Sequence, residues 1–151
     1  MPIDFTGGKI RNVRALLYKI EGGQRYFLVT YEYSGHYALP GGCKNSEDQS
    51  LATAIKREIM EELGLPAYSY RIRESGFSKE YSGVCKDPKS DRYGKNVIFS
   101  IYLAEYNGKE AINVGDGIIH TEWFPEEEAL GVLSTRHMKE LFKLGLERLK
   151  D

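Results

Sequence analysis

Residues 41–65 read GGCKNSEDQSLATAIKREIMEELGL, a Gly-Gly loop followed by a single amphipathic helix. Ser50 is the expected N-cap of this helix, with Ser46 as a competing start. Gly64 and the following Pro66 predict where it ends. Four apolar residues recur at helical spacing and predict the face that packs on the core: Leu51, Ile55, Ile59 and Leu63.

The same helix carries an acidic face. Glu58, Glu61 and Glu62 lie within about one turn, so their side chains share one side of the helix. Such like charges repel, which favours a positive group among them. Arg57 neutralises part of this charge, and Mg²⁺, or Mn²⁺ as a substitute, suits such oxygen ligands. An ordinary solvated charged face is the alternative reading of the spacing.

The nine residues 57–65, REIMEELGL, resemble the second half of the Nudix box, R-E-U-x-E-E-x-G-U, in which U is aliphatic. The match to this half is complete. Residues 39–42, LPGG, are similar to the segment that precedes the box in many members of the family. The helix is therefore identified as the second half of a box of the Nudix (MutT-like) hydrolase family.

The first half of the box departs from the family pattern. Counting back from Arg57 places Gln49 where the family has a glutamate, and Gly42 lies one residue too far upstream. The loop thus carries one extra residue. Glu47 or Asp48 could supply the missing carboxylate through a shift of the loop.

The resemblance implies one domain over residues 1–151, with an α/β fold in which a mixed β-sheet is sandwiched between α-helices (α/β/α). It implies a Mg²⁺-dependent pyrophosphohydrolase that cleaves a nucleoside diphosphate linked to another group. A nucleoside triphosphate or a dinucleoside polyphosphate is the leading substrate class. The alternative is a catalytically impaired Nudix-fold module that binds nucleotides or regulates, which the irregular loop favours.

The resemblance also assigns the catalytic machinery. Glu58, Glu61 and Glu62 are expected to hold the metal, and Glu58 and Glu61 are also expected to be catalytic. Arg57 is expected to orient a glutamate, since a planar guanidinium suits a carboxylate. Asp116, in the loop before the HTEWF strand, is the first candidate for a general base outside the helix, and Glu110 is the second.

Substrate contacts are expected around the Gly-Gly loop. Gly41 and Gly42 permit close approach of the backbone to a phosphate or a metal. Three aromatic residues are candidate platforms for a base, although each is more often a core or strand residue. They are Tyr37, Tyr81 and Trp123.

The remaining patterns predict strands over residues 9–20, 25–33, 68–73, 97–106 and 118–124, with the first two forming a hairpin and the third continuing toward Tyr81. A short helix is expected over residues 126–130. A final helix over residues 134–150 has Ser134 as its expected cap. Its expected inward positions are Met138, Leu141, Leu144 or Phe142, and Leu149.

Composition excludes several classes of protein. A net charge of -1 gives no global attraction to nucleic acid or membranes. No apolar run approaches the roughly 20 residues of a membrane span. Cys43 and Cys85 lack metal-ligand spacing and favour a reducing compartment, and one disulfide between them is the alternative. We therefore expect a cytoplasmic protein with a nucleotide-derived substrate, and without nucleic-acid or membrane partners. Nudix proteins are often dimers, so a homodimer is one arrangement that the resemblance implies.

Overall fold

The computed structural model describes residues 3–4, 9–73, 79–84, 88–89 and 94–150, which are built around one mixed eight-stranded β-sheet. The strands are β1 Lys9–Glu21, β2 Gln24–Glu32, β3 Tyr37–Ala38, β4 Gly41–Cys43, β5 Tyr70–Ile72, β6 Lys79–Val84, β7 Asn96–Tyr106 and β8 Ile118–Pro125. The helices are α1 Leu51–Leu63, α2 Glu126–Val132 and α3 Arg136–Leu149. Within these described residues, no helix is long and apolar enough to cross a membrane.

Two parallel strands, β1 and β7, form the centre of the sheet. Side chains alternate along β1, so Leu16 and Tyr18 pack in the core on the α3 side, whereas Val13 and Leu17 pack on the α1 side. Both faces of the sheet are covered, which explains why residues 15–18 of β1 and residues 97–104 of β7, apart from Ser100, are apolar. The arrangement confirms the predicted α/β/α sandwich.

The edge of β1 that faces away from β7 is shared by two strands. Its C-terminal part pairs with β2, from Tyr18↔Phe27 to Glu21↔Gln24, and its N-terminal part pairs with β4. The strand β8 pairs with β2 along residues 26–32, so β3 must use the edge of β2 that faces β1. Strands β1 and β2 therefore diverge, and residues 37–43 fill the wedge between them.

Local signals in the sequence set the bounds of α1. Ser50 is its N-cap, as predicted, because its side chain accepts a hydrogen bond from the Thr53 N–H. Gly64 ends the helix in the left-handed region, at φ +66°. Ile55, Ile59 and Leu63 are completely buried, as the apolar stripe predicted.

The start of the last helix differs from the prediction. Thr135, not Ser134, is the N-cap of α3, since the Thr135 hydroxyl accepts a hydrogen bond from the Met138 N–H. Ser134 is held by Tyr37 instead. The Ser134 Oγ accepts a bond of 2.8 Å from the Tyr37 N–H, and the Ser134 N–H donates to the Tyr37 carbonyl. A tertiary contact thus removes Ser134 from the capping position.

One other expectation needs correction, and the structure decides one alternative that the sequence left open. The strand predicted over residues 68–73 begins only at Tyr70, because a 3₁₀ turn, Ala67–Ser69, precedes it. Tyr81 belongs to a separate strand, β6, and residues 74–78 between the two strands lie outside the described residues. On α3, Phe142 is buried in the core, whereas Leu144 is only partly covered. Phe142 faces inward because its ring packs edge-on against Phe27 of β2, with 5.1 Å between the ring centroids.

Candidate active site

The acidic face of α1 lies against the two glycines of the wedge. The Gly41 N–H donates a hydrogen bond of 3.0 Å to Oε1 of Glu62. Gly41 has φ +146°, and a β-carbon there would stand 2.0 Å from the Val13 carbonyl oxygen. A β-carbon on Gly42 would stand 2.6 Å from Oε1 of Glu58. Both glycines are needed, one for the backbone path and the other for the space that Glu58 occupies.

Arg57 is the hub of the site. Its guanidinium binds Asp48 in a fork, with Nε 3.0 Å from Oδ1 and Nη2 2.9 Å from Oδ2. Nη1 donates to Glu58 at 3.1 Å and to Glu61 at 3.0 Å, and Nη2 also donates to the Cys43 carbonyl. Because all three nitrogens of the planar guanidinium are hydrogen-bonded, Arg57 holds the two glutamates in fixed orientations. Arg57 is thus placed to orient carboxylates.

In the irregular loop of residues 43–50, Asp48 supplies the carboxylate that binds Arg57. This residue is only 7% exposed and also accepts a hydrogen bond from the Asn45 N–H, whereas Glu47 and Gln49 are exposed. Burial alone would raise the pKa of Asp48, but the hydrogen bonds from Arg57 and Asn45 hold it below its usual value. Of the two residues that the sequence left open, Asp48 is the partner of Arg57.

Two carboxyl groups of the helix are unusually costly to ionise. Glu62 is 8% exposed, and burial raises its pKa to about 8, although Arg14 and the Gly41 N–H oppose the shift. Burial also raises the pKa of Glu58, against the opposing charges of Arg57 and Arg14. A nearby cation would relieve this cost, because it favours the ionised form.

Sequence reasoning missed two charged residues at the site, Arg14 on β1 and Glu32 on β2. Arg14 acts on both Glu58 and Glu62, and Glu32 adds to the negative potential at Glu62. One signal could have revealed Arg14. It is a charged residue within the buried run of β1, at a position where strand alternation points it toward the α3 side.

The carboxyl groups of the site are suitable ligands for a divalent cation, but in this structure their oxygen atoms are not oriented toward a common metal position. Within the part of the chain that the structure describes, no three His, Cys, Asp or Glu side chains are grouped to hold a metal. Glu58 and Glu61 turn toward Arg57, and Glu62 turns toward the Gly41 backbone. Five carboxyl groups nevertheless face two guanidinium groups: Glu32, Asp48, Glu58, Glu61 and Glu62, with Arg14 and Arg57. Hard cations prefer such oxygen donors, and the fit needs rotation of the glutamate side chains.

The loop that contains Asp116 docks on the C-terminal end of α1. Asn113, Gly115 and Asp116 donate backbone hydrogen bonds to the carbonyls of Leu63, Glu62 and Glu61, respectively. Carbonyls in the last turn of a helix lack partners within the helix, so this loop supplies them. The backbone of Asp116 is thereby attached to Glu61, and its side chain is exposed. The second candidate base, Glu110, lies against Tyr106 and Tyr68.

A cavity of about 270 Å³ opens beside the wedge on the α3 side of the sheet. Tyr37, Phe99 and His137 contribute rings to its wall, and the last two stack with centroids 5.0 Å apart. Trp123 is elsewhere, since it stacks on Tyr106 in the α1-side core. Tyr81 belongs to β6, and its side chain is outside the described residues. Of the three aromatic candidates, Tyr37 is at the cavity.

Comparison with known proteins agrees with this architecture. The family model for the NUDIX domain matches residues 9–144. The structure is similar to that of a Caenorhabditis elegans Ap4A hydrolase in a binary complex, with a TM-score of 0.78 and 17% identity over 93% of this chain and 98% of that chain.

Two other solved structures are similar over comparable lengths. The NUDIX domain of Shewanella oneidensis NrtR, complexed with ADP ribose, has a TM-score of 0.71 and 18% identity, over 93% of this chain and 88% of that chain. The Escherichia coli dihydroneopterin triphosphate pyrophosphohydrolase has a TM-score of 0.70 and 11% identity, over 89% of this chain and 92% of that chain. At these identities the likeness to solved structures shows a shared fold.

Proposed function

Because this chain belongs to the NUDIX family, we propose that it hydrolyses a phosphoanhydride bond in a nucleoside diphosphate linked to another group, with Mg²⁺ as its cofactor and Mn²⁺ as a substitute. One observation carries this proposal above the others. Asp48 restores the carboxylate partner of Arg57 despite the extra residue in the loop, so the acidic face of α1 keeps an oriented arrangement. A domain without catalysis would have little need for it.

Each box residue has a distinct proposed role. Glu58 and Glu62 would hold the cation, with Glu61 joining after rotation or through a water molecule. When bound, the cation would neutralise phosphate oxygens and lower the pKa of a water molecule. Arg57 keeps Glu58 and Glu61 in position, and the Gly41 N–H fixes one oxygen of Glu62. Asp116 is the proposed general base, since its loop is attached to the last turn of the helix.

The cavity supports a nucleotide as the substrate. It combines aromatic rings with polar groups, which is the composition that binds a base and a ribose. A nucleoside triphosphate and a dinucleoside polyphosphate both fit this description. The ligands and substrates in the names of the similar structures, Ap4A, ADP ribose and dihydroneopterin triphosphate, also carry linked phosphates.

A second candidate function is a nucleotide-binding or regulatory module that does not catalyse. Its support is the absence, among the described residues, of a preformed group of three metal-binding side chains. Free carboxylates often adopt their final geometry only when the ligand is bound. We therefore place hydrolysis first.

A turnover screen separates the two functions. Purified protein is incubated with nucleoside triphosphates, dinucleoside polyphosphates and nucleotide sugars, with Mg²⁺ or Mn²⁺, and release of phosphate and pyrophosphate is measured. Glu62→Gln is the matched negative control for contaminating phosphatases. Turnover by the wild type that is absent in the control supports the enzyme. Tight nucleotide binding without turnover of any compound contradicts it and supports the module.

A further inference from the structure

Arg14 occupies the point where the wedge opens. It is the last residue of β1 to pair with β4, opposite Gly41, and the next residue, Ala15, donates its N–H to the Pro40 carbonyl. Beyond this point β1 pairs with β2 only from Tyr18 onward. The side chain of Arg14 therefore stands where the two strand pairings separate.

The guanidinium of Arg14 is held firmly at one side. Nε donates to Oδ1 of Asn12 at 2.8 Å, and Nη1 donates to the Leu39 carbonyl at 2.9 Å. Nη1 also lies 3.8 Å from Oε2 of Glu32. Nη2 makes no hydrogen bond to any residue that the structure describes. The side chain is 13% exposed, so a positioned cation, with N–H donors that no described residue accepts from, stands in a nearly enclosed place.

Arg14 connects the cavity to the acidic helix. It contributes to the cavity wall together with Tyr37. Its positive charge also acts on Glu58 and Glu62, and its strand partner Gly41 is hydrogen-bonded to Glu62. Paired residues of antiparallel strands lie about 5 Å apart. Arg14 therefore lies both at the cavity and beside the glycine that contacts the acidic helix, on the way from a base in the cavity to a reacting phosphate at α1.

We propose that Arg14 binds the phosphate group attached to the nucleoside, and so selects substrates whose phosphate chain begins directly at the nucleoside in the cavity. This inference rests on the proposed function and assigns the binding group that the box itself lacks, because Arg57 is already saturated by carboxylates. A guanidinium with free donors suits phosphate oxygens. Near five carboxyl groups, it supplies the local attraction that a polyphosphate needs.

Binding of nucleoside α,β-methylene diphosphates tests the proposal, since these compounds contain no hydrolysable anhydride. The panel covers the four common bases, with Mg²⁺ present, and calorimetry gives the dissociation constants. For the tightest compound, we expect Arg14→Gln to weaken binding about tenfold or more, and Arg14→Lys to weaken it less, because lysine keeps the charge without the fork. Arg71→Gln is the control, since that side chain is 73% exposed on β5.

A purely structural role of Arg14 would have another signature. Arg14→Gln would then lower the melting temperature and weaken the diphosphate analogue and the corresponding phosphate-free nucleoside by the same factor. That result would overturn the proposal. An unchanged dissociation constant in Arg14→Gln, or failure of the wild type to bind any of the analogues, would overturn it as well. Loss confined to the phosphate-bearing compound supports it.

The outcome is separable from that of the proposed function. If the wild type turns over no substrate but binds the analogue through Arg14, hydrolysis fails and the phosphate contact stands. If the wild type turns over a nucleotide and Arg14→Gln retains its analogue affinity and its KM, the phosphate contact alone fails.

Discussion

The carboxylate of Glu58 occupies the space in which a β-carbon on Gly42 would stand. Such a β-carbon would lie 2.6 Å from Oε1 of Glu58, far inside van der Waals contact. The backbone of Gly42 needs no unusual conformation, because its φ is not among the positive values of the chain. The glycine at position 42 therefore leaves room for the side chain of Glu58, whereas Gly41 allows a backbone conformation with positive φ.

Gly42→Ala should consequently reduce mainly the activity, whereas Gly41→Ala should reduce mainly the stability of the fold. In Gly42→Ala, the end of a flexible side chain must move, so we expect a loss of kcat on the order of 100-fold and a change in stability within about 1 kcal/mol. In Gly41→Ala, the new β-carbon meets the Val13 carbonyl at a positive φ, which should cost more than about 2 kcal/mol. Steady-state kinetics and thermal melting measure both. Equal destabilisation by the two variants would contradict the separate roles.

Glu62→Gln should abolish metal-dependent activity and leave the fold intact. The glutamine amide is a poor ligand for a hard cation, so we expect kcat to fall by a factor on the order of 100 or more. Burial raises the pKa of Glu62 to about 8, so near pH 7 folding requires this carboxyl group to take up a proton that the unfolded chain has lost. Glutamine removes this cost, so the metal-free variant should melt no lower than the wild type. Activity that survives this change would show that Glu62 does not bind the metal.

Asp48→Asn should destabilise the protein in a pH-dependent manner. The pKa of Asp48 is held below its unfolded value of 3.8 by Arg57 and Asn45. The stability it contributes is thus present above that value and is lost as the pH falls through the lower, folded pKa. We expect the variant to be roughly 1–3 kcal/mol less stable at pH 7, and the difference to shrink below pH 4. Denaturant unfolding at several pH values measures it.

Glu47→Gln is the matched control for Asp48, since Glu47 is exposed on the same loop. It should leave stability unchanged at every pH. A constant difference between Asp48→Asn and the wild type down to pH 2 would indicate that the ion pair with Arg57 is not its origin.

Ser134 and Thr135 should differ in what their hydroxyl groups support. Thr135→Ala removes the N-cap of α3 and should cost about 1 kcal/mol of stability. Ser134→Ala removes the bond to the Tyr37 N–H, which holds an aromatic ring of the cavity wall. We expect this second variant to raise KM with a smaller loss of stability. A stability loss that is greater in Ser134→Ala would favour the capping role that the sequence predicted.

Asp116→Asn tests the proposed general base. Its side chain is exposed, so the melting temperature should not change, whereas kcat should fall about 100-fold or more if it accepts the proton from water. Glu110→Gln, the other loop carboxylate, should retain full activity because it lies against Tyr106 and Tyr68. If kcat drops in Glu110→Gln and not in Asp116→Asn, the assignments must be exchanged.

Much of the site was predictable from sequence because it lies on one helix. Caps, helical spacing and the apolar stripe depend on residues within four positions of one another, so Ser50, Gly64 and the glutamates could be placed without a structure. The choice of Asp48 over Glu47 was not predictable. It depends on how the loop of residues 43–50 folds back on Arg57, which the count of residues alone leaves open.

By itself, the sequence determined the acidic helix, through its local periodicity, and the family, through a contiguous motif whose resemblance in turn implied the α/β/α layers. Tertiary structure alone decided that β1 and β2 diverge, that Arg14 stands at the opening, and that Ser134 binds Tyr37 instead of capping α3. The pairing of Arg14 with Gly41 joins residues 27 positions apart, and the hydrogen bond between Ser134 and Tyr37 joins residues 97 positions apart. The register of a hairpin follows from its turn and its alternation, whereas contacts between segments this far apart in the chain depend on how the whole sheet packs, which no local pattern encodes.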